Sequence, residues 1–139
     1  MSDQRSILDI QKFDNQAATL ANKAANLPEL AVITSTTIKQ NNVRDLRIAA
    51  ETELSDVKRE LARAEGDVEQ IVTRIERDEK RLASGTGTPK ELEQTQHELG
   101  TLGARRAELE EVELEIMMRV DGIKDRITTL SAEENELGA

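Results

Sequence analysis

Apolar residues recur at alternating spacings of three and four over most of this chain, and this repeat limits the folds that it can adopt. Such spacing marks the contact seam of helices that pack as coiled coils. The first strong series is Leu54, Val57, Leu61, Ala64, Val68, Ile71, Ile75, Asp78 and Leu82. The second is Leu92, Thr95, Leu99, Leu102, Arg106, Leu109, Glu113, Ile116, Val120, Ile123, Ile127, Leu130, Glu134 and Leu137. The repeat predicts two long helices.

Upstream of the first series, Val43, Leu46, Ala50 and Leu54 step by three, four and four residues. These steps predict a local eleven-residue repeat, which relaxes the supercoil. Asp78 is the polar seam position of the first helix. We expect it either to lie at a frayed helix end or to help fix the register.

Between the two series, residues 84–88 predict a hairpin loop. Gly85 and Gly87 end the first helix, and Gly85 suits the left-handed residue that follows a last turn. Thr88 is the predicted N-cap and Pro89 the first helical residue, followed by Lys90, while Glu91 completes a capping box. A short loop between two long seams makes the helices antiparallel neighbours.

The N-terminal segment carries an apolar series of its own: Ile10, Phe13, Ala17, Leu20, Ala24, Leu27 and Ala31. Pro28 predicts a kink or a short break in it. If residues 38–82 pair with 92–137, this seam has no partner in the chain. It therefore folds back, dimerises, or meets a continuation of the second helix. We expect a protein partner to bind at this seam or at the hairpin tip, and the candidate seam residues are Ile10, Phe13, Leu20 and Leu27.

The expected fold class is all-α, a long antiparallel two-helix coiled-coil hairpin with a kinked N-terminal helical extension. The predicted segments are an N-terminal helix at 1–34, a first long helix at 35–83, the loop at 84–88 and a second long helix at 89–139. Composition agrees, because Phe13 is the one aromatic residue and 34% of residues are charged.

Charge and residue usage exclude several classes of function. The net charge of −9 argues against nucleic-acid binding, which needs Lys and Arg. Residues 89–139 hold most of the acidic excess, which favours a solvated face and leaves open an acidic surface that attracts a basic partner. The chain has no cysteine, no signal-peptide pattern and no apolar run long enough for a membrane span, so we expect a cytoplasmic protein.

No residue pattern predicts catalysis, a metal site or a cofactor. His97 has Glu93 one turn before it, but no second histidine or cysteine completes a zinc site. The Gly85–Gly87 stretch lacks the Lys–Ser/Thr tail of a phosphate loop. The glutamates of residues 108–115 spread around a helix and indicate solvation. We therefore expect a protein that is not an enzyme.

Four segments in order resemble the N-terminal coiled-coil region of the bacterial C4-type zinc-ribbon coiled-coil proteins. They are Leu8 to Asp14, Leu27 to Leu30, Pro89 to Glu93 with Gln96 to Leu99, and Leu109 to Met117. The resemblance implies an elongated, kinked hairpin followed by a zinc ribbon with four cysteines, which this chain lacks. We accordingly expect a truncated chain, with zinc bound only in the missing ribbon.

Some members of that family are adaptors for an alternative sigma factor, for flagellar or type III secretion components, or for messenger RNA. The sequence thus predicts a non-enzymatic coiled-coil adaptor that binds protein partners. Two alternatives stay open. One is a transcription-factor finger whose tip enters a polymerase channel, although residues 84–88 carry no carboxylate. The other is a purely structural oligomerisation rod, including a homodimer.

Overall fold

The computed structural model describes the backbone of residues 2–138 and the side chains of residues 15–16 and 26–138. Helix α1 spans Ser2–Ser84 and helix α2 spans Pro89–Gly138. The described backbone outside residues 85–88 is helical throughout, which confirms the all-α, two-helix prediction. Helix α1 continues through Pro28, so there is no break in the described backbone at that residue; the kink stays a prediction.

The chain divides into two compact units, and α1 contributes to both. One unit comprises Leu46–Ala132, which contains the hairpin turn. The other comprises Met1–Asp45 together with Glu133–Ala139.

Within the Leu46–Ala132 unit the helices run antiparallel. Ion pairs join Glu53 to Arg126, Glu60 to Arg119 and Arg74 to Glu98, so rising residue numbers on α1 meet falling numbers on α2. The core of this unit is Val57, Ala64, Ile116, Val120 and Ile123, with Leu54, Leu61 and Ile127 packed against it. All positions of the two strong apolar series are buried or half-buried, because the heptad spacing keeps them on the facing sides of the helices.

The eleven-residue repeat predicted at residues 43–54 is wrong. Leu46 is 59% exposed, whereas Arg47 is half-buried. The seam follows Val43, Arg47, Ala50 and Leu54, whose spacings of four, three and four continue the heptad. An arginine can occupy such a position because its aliphatic stem packs on apolar neighbours while its guanidinium stays in water. Its Nη1 lies 3.0 Å from Oε1 of Glu51.

The seam also contains a buried acid. Asp78 is 5% exposed, so it does not lie at a frayed helix end. Its Oδ2 atom is buried and has no hydrogen-bond partner among the described residues. A buried acceptor without a partner costs free energy, and the seam is therefore weakened near its loop end.

Three glycines within α2 do not mark a close helix contact. A Cβ atom added to Gly100, Gly103 or Gly122 would meet nothing within 4 Å. Among residues 2–138, neither helix contains a stretch long and apolar enough to cross a membrane.

Candidate functional site

The surface that stands out is an apolar face on α1, in the unit that contains Met1–Asp45. We name this surface the N-terminal apolar face. It follows the heptad spacing and forms a shallow groove together with Ser35 and Lys39. Its residues are Leu27, Leu30, Ala31, Thr34 and Ile38. Leu27, one of the four seam residues predicted from the sequence, lies on it; the side chains of Ile10, Phe13 and Leu20 are outside the described residues.

The opposite side of the same segment is apolar too. Val32 and Ile33 line a second shallow groove with Pro28 and Glu29. The large apolar side chains of residues 27–38, on both sides of the helix, are between 55% and 65% exposed. An apolar stripe on a helix normally packs against another element, and both apolar sides of this segment are open to water in the described structure.

The charge pattern of this segment is equally unusual. Residues 26–38 contain one charged residue, Glu29, in a chain that is 34% charged. The Thr37 hydroxyl donates to the carbonyl oxygen of Ile33 at 2.9 Å, within the helix itself. The segment therefore lacks the charges by which the other exposed helical surfaces of this chain are solvated.

Helix α2 reaches the residues that follow this face. Glu133, Glu136 and Leu137 line a groove with Lys39, Asn42 and Val43 in the same unit. A Cβ atom added to Gly138 would lie 3.5 Å from Nε2 of Gln40. Residues 27–38 precede this paired stretch along α1.

The hairpin tip is held by short-range hydrogen bonds. The Gly85 amide donates to the carbonyl oxygen of Leu82 at 3.2 Å, and Gly85 has a φ of 63°. The Glu91 amide donates to Oγ1 of Thr88 at 3.2 Å, while the Thr88 amide donates to Oε2 of Glu91 at 3.4 Å. Both hydrogen bonds of the capping box are thus formed, and Pro89 begins α2. A binding role for Gly85, Gly87, Thr88, Pro89, Lys90 and Glu91 stays a prediction.

The tip offers little for metal chemistry. The Glu91 carboxylate, the acid nearest the loop, accepts a hydrogen bond from Thr88. Within the described side chains, no three His, Cys, Asp or Glu residues are grouped so that they could hold a metal ion.

Following the heptad seam alone misses two sets of residues. Val32 and Ile33 lie off the seam, and the scarcity of charge in residues 26–38 is the signal that could have found them. Leu114, Met117 and Met118 lie off the seam of α2 and are exposed as well. In the sequence Leu114 stands between two glutamates, while Met117 and Met118 directly follow the seam residue Ile116.

Comparison with known proteins places the chain in a family. Residues 10–139 match the sequence profile described as the CT398-like coiled coil hairpin domain. Two uncharacterized proteins of Mycobacterium tuberculosis, from strains CDC 1551 and H37Rv, are each 33% identical over 135 residues, which is 94% of this chain. Those residues are 54% of each relative, so the chain spans about half the length of the curated relatives it matches. No solved structure matches it. On the match over residues 10–139, the chain belongs to the family of CT398-like coiled coil hairpin domains.

Proposed function

We propose that this chain is a non-enzymatic coiled-coil adaptor that binds a protein partner through the N-terminal apolar face. The observation that carries the proposal is the exposure of Leu27, Leu30 and Ile38 in a segment with one charged residue. Helices in water get most of their stability from packing an apolar face. A face of this kind therefore favours a bound state in which another protein covers it.

The partner that fits is an amphipathic helix. Leu27, Ala31, Thr34 and Ile38 alternate by four, three and four residues, the spacing that accepts the side chains of a second helix between them. Val32 and Ile33 offer apolar contacts on the other side, so that two partner helices could enclose the segment.

A structural rather than a catalytic role agrees with the two-helix architecture. Catalysis needs polar groups that converge in a concave site shielded from water. The buried positions between these helices are mostly apolar, and a two-helix hairpin of this type is typical of structural and interaction domains.

We extend the proposal to an adaptor that acts in the cytoplasm and is linked to transcription or secretion. The resemblance to the C4-type zinc-ribbon proteins supports this extension. Zinc would then be bound by cysteines that this chain lacks. The polymerase-channel finger is less well supported, because the Glu91 carboxylate near the tip serves the capping box.

Quantitative co-purification tests the proposal. The full chain is expressed in its own cell as wild type, as Leu27→Ser/Leu30→Ser and as the control Leu46→Ser, whose leucine is exposed to a similar degree. We expect at least one protein to be lost from the double variant and retained by the control. The burial of one leucine contributes roughly 1.5–3 kcal/mol, which is at least about a tenfold change in affinity. Identical sets of proteins from all three would contradict the proposal, and recovery of this chain alone would favour an oligomerisation rod.

A further inference from the structure

A second apolar surface lies on α2 within the Leu46–Ala132 unit, away from the helix seam. We name it the outer patch: Leu114, Met117 and Met118. Leu114 is 60% exposed and Met118 is 73% exposed. Each is two residues from the buried Ile116, which turns it about 200° around the helix at 3.6 residues per turn. The outer patch therefore faces away from the core that Ile116 helps to form.

The three side chains are neighbours on the helix surface. Leu114 is three residues before Met117 and four before Met118, and these are the separations at which helical side chains touch. Apart from Met1, Met117 and Met118 are the methionines of the chain. Methionine is flexible and polarisable, and it recurs in surfaces that adapt to the apolar side of a bound helix.

Acidic side chains surround the outer patch. Residues 107–118 contain five glutamates and neither lysine nor arginine. Glu111 precedes Leu114 by three residues, while Glu115 precedes Met118 and Asp121 follows it by the same interval, so each adjoins the patch.

Two of the five glutamates have internal partners, since Arg105 pairs with Glu108 at 3.0 Å and Arg106 pairs with Glu110 at 2.8 Å. Among the described side chains, Glu111, Glu115 and Asp121 form no ion pair, whereas the nearby Arg119 is held by Glu60 at 2.8 Å. The patch is therefore an apolar surface bordered by three acids that form no ion pair with the described side chains.

We infer that the outer patch is a docking site for a basic amphipathic helix of a protein partner. Its apolar side chains would cover Leu114, Met117 and Met118, while flanking Lys and Arg residues meet Glu111, Glu115 and Asp121. Complementary charge steers such an encounter and disfavours other partners. A second copy of this chain fits poorly, because two outer patches brought together would place like charges against one another.

Peptide binding to the full chain tests this inference. The probe is a fluorescently labelled synthetic helical peptide with leucines at heptad spacing and lysines beside them, and the matched peptide carries glutamates in place of the lysines. Fluorescence anisotropy gives the affinity of each peptide for the wild type, Leu114→Ser/Met118→Ser and Glu111→Lys/Glu115→Lys. The control variant is Leu46→Ser, while Leu27→Ser reports on binding at the N-terminal apolar face. Far-UV circular dichroism checks that each variant keeps its helices.

We expect the basic peptide to bind at least about tenfold more tightly than the acidic one, by the tenfold per 1.4 kcal/mol relation. Both double variants should weaken its binding by a similar factor, and the control Leu46→Ser should not. The inference is overturned if the two peptides bind equally or not at all, or if Leu46→Ser has the same effect. If Leu27→Ser alone weakens binding, the peptide occupies the N-terminal apolar face and the outer patch has no such role.

Discussion

Glu60 of α1 and Arg119 of α2 form an ion pair of 2.8 Å that is repeated one heptad away by Glu53 and Arg126 at 2.7 Å. Both pairs bridge the helices beside the apolar core, and their side chains are about half exposed. Exposed ion pairs contribute little to stability, but repeating pairs at the edge of a seam help to select the register.

A double-mutant cycle measures the interaction between Glu60 and Arg119. We expect Glu60→Ala and Arg119→Ala to show a coupling of about 0.2–1 kcal/mol in the free energy of unfolding, because water screens a half-exposed pair. Urea denaturation at low and high salt measures the coupling, which should shrink at high salt. The pair Arg59–Asp56, which lies within α1, serves as the control that does not link the helices. A coupling above about 2 kcal/mol would contradict the assignment of a solvent-screened pair.

Replacing Asp78 should stabilise the hairpin. Its buried Oδ2 has no partner among the described residues, and an unsatisfied buried acceptor costs about 1–3 kcal/mol. We expect Asp78→Leu to raise the free energy of unfolding by roughly that amount, as measured by urea denaturation. Substitution of the neighbouring apolar seam residue, Ile75→Ala, should lower it. A destabilised Asp78→Leu variant would show that the carboxylate is stabilised by an interaction absent from this structure.

The two loop glycines should differ in their tolerance of alanine. Gly85 and Gly87 both have positive φ values, 63° and 121°. A Cβ atom at Gly87 would also lie 2.9 Å from Oε2 of Glu91, whereas one at Gly85 would meet nothing within 4 Å. We expect Gly85→Ala to cost roughly 1 kcal/mol and Gly87→Ala more, within the 1–3 kcal/mol of a strained residue. Thermal unfolding of both variants shows which one loses more stability. An equal loss of stability would show that the Glu91 side chain moves aside freely.

The local signals explain how far the sequence predicts this fold. Thr88, Pro89 and Glu91 specify the start of α2 through contacts within one turn, so the hairpin can be predicted without its tertiary structure. The sequence does not predict that Arg47, and not Leu46, occupies the seam. That choice depends on whether an arginine stem or a leucine packs against α2. The outer patch follows from the predicted seam, since Leu114 and Met118 are two residues from Ile116 and so lie about 200° from it around the helix.

The N-terminal apolar face was predicted in part. Leu27 follows the heptad spacing, which predicts a seam there. Val32 and Ile33 follow no repeat, and their exposure is seen only in the structure.

Photo-crosslinking inside the cell tests the binding role of the N-terminal apolar face most directly. A photoreactive benzophenone amino acid replaces Leu30 in the full chain, and the same amino acid replaces the exposed Lys58 as the control. We predict that irradiation joins position 30, and not position 58, to a different protein, and that adding Ile38→Ser weakens this product. If position 30 gives no product, or gives the same products as position 58, the N-terminal apolar face is not the binding surface of an adaptor.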